Sequence, residues 1–277
     1  MIEWTARARR PLLRQPVTAL ALAWLVLLVL ETLVLPPLLP TDPRFADPAQ
    51  VLLPPAAGHV LGTDALGRDV LSRLVWGGRW TLGMAMAALV VTFVLGLPVG
   101  LAAGSLGGRV DALTMRVVDA LLAFPALLLA MVVVAILGTG LLPVAVAVGI
   151  TAAPAHARMV RSVALEIRSR PYIDAARSVG CPPLRIALRH ILPNAAPVLI
   201  AFATTQLGWI LINGAALNFL GLGAPLGTPE WGAMLAEGRG YLRDGPWISV
   251  FPGLALTLTV LAAHLVGNGI EEALKRD

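Results

Sequence analysis

Six runs of apolar residues, separated by polar or proline-rich interruptions, set the pattern of this chain: residues 17–35, 80–104, 117–137, 141–157, 195–216 and 247–268. Crossing roughly 30 Å of hydrocarbon takes about 20 helical residues. The runs are continuously apolar and do not alternate every second residue, so they predict spanning helices and not the strands of a barrel. The fourth run is short and interrupted by Pro143 and Pro154. The expected fold is an all-α polytopic membrane protein with six transmembrane helices.

The interruptions carry their own signals. Residues 36–79 open with Pro36 and Pro37 and carry Pro40, Pro43, Pro48, Pro54 and Pro55, a density that forbids regular structure in the first half. From Thr63 and Asp64, which can cap a helix, Leu66, Val70, Leu71 and Leu74 recur at helical spacing with Arg68, Asp69 and Arg73 opposite. That spacing predicts a short amphipathic helix on the outer membrane face or against the bundle. Gly96, Gly100 and Gly104 line one face of the second run, either for bundle packing alone or for a functional close approach. The interruption at 218–246 combines glycines and prolines with Trp231, Tyr241 and Trp247, which suits an interfacial aromatic belt or a re-entrant cap.

Composition agrees with the pattern. Apolar residues make up 57% and charged residues 13%, too little polar surface for a soluble globule. The first run follows Arg7, Arg9, Arg10 and Arg14 but exceeds the length of a signal core and lacks a small-x-small cleavage site, so an uncleaved anchor is expected. An N-terminus inside puts fifteen basic residues inside and six outside. This excess predicts cytoplasmic termini and a cytoplasmic loop at about 158–194. The single cysteine, Cys181, excludes an internal disulfide framework. Basic residues beside apolar runs read as topology determinants, so no nucleic-acid partner is expected; membrane lipid is.

Several chemistries lack their residues. No Gly-x-x-x-x-Gly-Lys-Ser/Thr, His-Glu-x-x-His or Gly-x-Ser-x-Gly occurs, which removes ATP hydrolysis by this chain, a zincin centre and a nucleophile elbow. The four histidines, His59, His156, His190 and His264, lack metal-ligand spacing. His156 and His264 are the two that could face a path, although a hydrogen bond within the bundle is the plainer role. Ionisable residues in the spans are sparse, with Glu31 and Asp119 near helix ends. A lone ion-coupled carrier buries such residues as relays, so the energy is expected to come from a partner.

The basic interruption between the fourth and fifth runs predicts two brief helices and a tight corner: Tyr172, Asp174, Ala175, Ala176, then Gly180, Pro182, Arg185 and a closing Pro193. Asp174-Ala175-Ala176-x-x-x-Gly180 followed by Ile191-Leu192-Pro193 resembles the EAA loop of type I ABC importer permeases, with Asp174 where Glu is usual and His190 where an isoleucine often stands. The stretch from His59 to Arg73, with Gly62, Thr63, Asp64, Gly67, Arg68 and Asp69, is similar to the peptide and nickel permeases of the DppC, OppC and NikC type. So are Phe219-Leu220-Gly221-Leu222-Gly223 with Glu230-Trp231-Gly232, and Phe251-Pro252-Gly253.

The resemblance implies a type I importer permease fold: residues 1–79 as tail, first helix and outer segment, and 80–277 as transmembrane core. It implies a coupling helix around 172–185 in a cleft of an ATPase subunit. The partners it implies are a homologous second permease, two ATPase chains and an extracytoplasmic binding protein, in a bacterial or archaeal cytoplasmic membrane. This chain would bind no cofactor, ATP and Mg being used by the ATPase chains. The cargo expected is a di- or oligopeptide, with nickel or a metal chelate as the alternative and a stand-alone carrier as the third reading.

Overall fold

The computed structural model describes residues 16–34, 42–225 and 227–275. The N-terminal arginine cluster and the prolines at 36, 37 and 40 lie outside them. Ten α-helices are named here: α1 (Pro16–Val34), α2 (Val70–Leu106), α3 (Gly108–Leu122), α4 (Ala126–Leu137), α5 (Leu141–Arg168), α6 (Pro171–Ser178), α7 (Pro183–Ile186), α8 (Leu192–Phe219), α9 (Trp231–Gly238) and α10 (Trp247–Lys275). A π-helical turn, Ala187–Ile191, joins α7 to α8, so Pro183–Phe219 runs as one helical body of 37 residues.

All six apolar runs are helical, but they are not six straight spans. Four bodies are long and apolar enough to cross a membrane alone: α2, α5, Pro183–Phe219 and Trp247–Leu274. The third run is broken, α3 and α4 meeting at 92°. Pro125 supplies no N–H and crowds the residue before it out of helical conformation, so the turn falls at Ala123 and Phe124. The fourth run is longer than its prolines suggested: α5 has 28 residues, with Pro143 in its first turn and Pro154 inside.

The segment between the first two apolar runs departs furthest from expectation. No helix starts at Thr63 or Asp64; residues 63–69 form a tight loop closed by an isolated antiparallel bridge between Thr63 and Asp69, and Asp69 caps α2, its Oδ2 accepting from Ser72 N–H at 2.7 Å. The residues from Val70 onward are the first turns of a 37-residue helix packed into protein, with Val70, Ser72 and Arg73 buried. α2 therefore runs straight through the boundary expected at residues 79 and 80.

The scaffold is the pairing of α2 with α5. The glycine stripe faces it: a Cβ at Gly96 would lie 2.8 Å from the Ala153 carbonyl oxygen, at Gly100 2.6 Å from Val160 Cβ, and at Gly104 2.6 Å from Ala164 Cβ. The matching order shows that the two helices run the same way, with α3 and α4 returning the chain between them. In hydrocarbon, where lipid is as apolar as leucine, such close backbone approach supplies dispersion contact that burial cannot. Both helices feed the central core of Ala85, Ala88, Val144, Ala147, Val148, Ile210 and Leu211. α1 leans on α10 through Ala21, Ala262 and Val266 at the end that carries the 169–191 loop, and on Trp231 and Ile248 through Leu28 at the other.

Gly100→Leu should wedge α2 from α5, an overpacking that costs about 1–3 kcal/mol. Detergent-purified protein is expected to melt lower and to lose its monodisperse elution peak.

Candidate functional site

The corner of the loop is built from backbone. α6 starts at Pro171, whose fixed φ suits a first helical position, and ends at Gly180 with φ +79°. Gly180 N–H donates to the Arg177 carbonyl at 2.9 Å and Cys181 N–H to the Ala176 carbonyl at 3.1 Å. This bond pair is a Schellman cap, which requires a left-handed residue. A side chain at Gly180 would meet no atom, so the conformation alone selects glycine.

One face of the loop is anchored and the other is bare. Ile173 is fully buried, packing with Ile186, Ala187 and Ile191 against Leu101 of α2 and Val160, Val163 and Ile167 of α5. Tyr172, Asp174, Ala175, Gly180, Pro182 and Arg185 are exposed, and Asp174 spends its charge on Arg177 of the same helix at 3.1 Å. Beside them Val179 is 84% and Leu184 71% exposed. Ala176 is half-buried, its carbonyl used by the cap. Pro193 closes nothing; it lies exposed in the first turn of α8, where the chain runs on into its span. The preceding π turn, with Leu192 N–H donating to the Ala187 carbonyl, was not legible in the residue pattern.

At the opposite end, the motif residues 62–69 form one network. Gly62 and Gly67 turn with φ +77° and +73°. Thr63 is buried, its hydroxyl accepting from Leu53 N–H at 2.8 Å and its carbonyl from Trp247 Nε1 at 2.9 Å. Asp64 accepts from Leu66 N–H, Arg68 N–H and Arg68 Nε, and pairs with Arg73. Glu237 at the end of α9 closes the network, taking Arg68 Nη2 and Arg73 Nη1 at 2.7 Å each. Burial pushes the Asp64 carboxyl up, but Arg73, Arg68 and the two backbone N–H groups overrule it and hold the carboxyl below its ordinary range.

Sequence reasoning named Glu230 only within a motif, without a role, and misplaced Trp231. Trp231 is no belt residue: it is 1% exposed and donates from Nε1 to the Leu74 carbonyl at 2.9 Å. Glu230 is fully buried, capping α9 through Ala233 N–H and accepting from Thr81 Oγ1, both at 2.9 Å. Burial raises its pKa against those hydrogen bonds.

Between the α3–α4 bend and helices α5, α8 and α10 lies a cavity of about 470 Å3. Its wall includes Leu122, Phe124, Thr151, Thr205, Gln206, Trp209 and His264. Behind it sits His156, fully buried and hydrogen-bonded to Gln206, the intrabundle role expected of it.

A family model described as binding-protein-dependent transport system inner membrane component matches residues 96–277. The chain belongs to that family. The glutathione transport system permease protein GsiD of Pectobacterium atrosepticum is 41% identical over 96% of this chain and 88% of its own length. The nickel transport system permease protein NikC of Escherichia coli K12 is 41% identical over 92% of both chains. The di/tripeptide transport system permease protein DppC of Pseudomonas aeruginosa is 40% identical over 91% of this chain and 86% of its own. Among solved structures, the inward-facing MetNI methionine ABC transporter aligns with a TM-score of 0.61 at 26% identity, covering 73% of this chain and 96% of that one. The permease therefore has the type I ABC importer fold expected from the sequence, and it is a translocation subunit of such an importer.

Two outcomes test this geometry. Gly180→Val should strain the cap by about 1–2 kcal/mol while Gly180→Asn, able to adopt positive φ, should not, as read by protease sensitivity of the loop in the purified permease. Asp64→Asn leaves two buried guanidinium groups short of a carboxylate and should cost about 3–5 kcal/mol. Because the folded pKa of Asp64 is depressed, its contribution is present above the unfolded value of about 3.9 and is lost as pH falls through the lower folded value. The melting-temperature gap between wild type and Asp64→Asn should thus narrow only below that range.

Proposed function

We propose that this permease forms half of the path for di- or oligopeptides, paired with a homologous second permease, fed by an extracytoplasmic binding protein and driven by two ATPase chains that use ATP and Mg. Both termini and the 158–194 loop face the cytoplasm of a bacterial or archaeal cell, as the excess of basic residues on that side supports. The observation that carries the reading is the loop: a rigidly mounted corner whose bare side exposes Tyr172, Val179 and Leu184. An apolar tip of this kind is a surface shaped for a partner.

Movement of the ATPase chains reaches the corner first. Ile173 and Ile191 then pass it to α5 and α8 without a flexible link, since both are packed in one core. Two discrete packings of the bundle suffice for alternate opening. A nickel or metal-chelate cargo is the second reading, favoured by the nickel permease among the relatives. Peptide is preferred because the cavity wall offers one imidazole and no carboxylate or thiol.

Ala175→Trp, exposed and outside the core, should leave the permease folded but reduce co-purification of the ATPase chains at least tenfold. Full retention of the ATPase chains with undiminished peptide uptake in proteoliposomes would remove the docking role.

A further inference from the structure

The cavity between the α3–α4 bend and helices α5, α8 and α10 contains one polar group held rigidly from behind. Gln206 of α8 is buried, and both ends of its amide are fixed. Nε2 donates to the Ala152 carbonyl of α5 at 3.0 Å, and Oε1 faces His156 Nδ1 at 3.1 Å. Since Nε2 must be the donor, Oε1 must be the acceptor, which places the His156 proton on Nδ1. The imidazole is itself clamped, its ring 4.2 Å from Phe93 and 5.9 Å from Phe202, and its Nε2 is buried without a hydrogen-bond partner. The pair satisfies the Gln206 amide and His156 Nδ1 inside the bundle, where an unmatched polar group costs about 1–3 kcal/mol.

An amide has two N–H donors and two acceptor lone pairs on oxygen. One of each is taken inside the bundle. Gln206 lines the cavity, so its remaining N–H and lone pair are left for hydrogen bonds to a C=O or N–H of a cavity occupant. Acceptors surround it. The Thr151 and Thr205 hydroxyls donate to the Val148 and Phe202 carbonyls of their own helices, and His264 Nδ1 faces the Val260 carbonyl at 3.0 Å. Each therefore keeps an acceptor for the cavity. No charged side chain lines the wall, and Leu122, Phe124 and Trp209 give it apolar faces. A volume of about 470 Å3 falls within the range of small-ligand sites.

We propose that Gln206 is the cargo contact of this half of the path, pairing with a backbone amide of the passing peptide, and that His156 is the positioning residue holding its amide in register. The site favours amide-bearing cargo over a bare cation, for which it supplies no anionic ligand. The inference rests on the proposed peptide function and deepens it.

The test uses the complete importer in proteoliposomes, with radiolabelled alanyl-alanine and radiolabelled nickel ion as separate probes. Gln206→Leu, similar in volume but without the amide, should lower alanyl-alanine carried per ATP hydrolysed at least tenfold. His156→Phe, which frees the amide to rotate, should raise the half-saturating peptide concentration severalfold with a smaller effect on maximal rate. Size-exclusion elution and ATPase co-purification of both variants report whether they assemble. An assembled Gln206→Leu importer with unchanged peptide-to-ATP ratio overturns this inference and leaves the peptide function standing. Wild-type importer that carries nickel ion but no alanyl-alanine overturns both.

Discussion

The contact between α2 and α5 is the constraint on which the other arrangements rest. Three glycines at four-residue intervals let one backbone lie against the alanines of the other, and any side chain there would have to displace a carbonyl or a Cβ. Both helices extend beyond the contact in both directions. At one end they hold the loop through Ile173; at the other, α2 begins at the Asp69 cap beside the Asp64 network. A displacement at either end is thus shared by the pair, because packed interiors shift between arrangements and do not stretch.

The two ends obey different physics. The cluster at the start of α2 is ionic: Asp64, Arg68, Arg73 and Glu237 neutralise one another, Arg73 Nε and Nη2 stay without a partner, and removing Asp64 strands buried guanidinium charge. The loop end is held by apolar packing on one side and left uncovered on the other. The bundle thus joins fixed geometry at one end to unspent apolar surface at the other.

The order and helical character of the apolar runs were legible in the residue pattern, as were the Gly180 corner and the glycine stripe, because each follows from local chemistry; the count of straight spans was not. What escaped depends on partners distant in the chain. Arg68 and Arg73 looked like the polar side of a surface helix; their carboxylate at Glu237 is 169 and 164 residues away. Trp231 had the look of a belt residue until its indole found the Leu74 carbonyl, 157 residues back. The third run looked continuous in the residue pattern, so the 92° bend between α3 and α4 was not legible there. The Gln206–His156 pair joins two helices at a separation of 50 residues, and neither residue is unusual alone.

The empty space around Gly180 has an evolutionary corollary. The turn is dictated by hydrogen bonds of the main chain and by one residue without a side chain, while Tyr172, Val179 and Leu184 take no part in holding it. Those outward positions can change with little penalty to the turn that carries them. A lineage can repaint the fingertip and keep the same wrist.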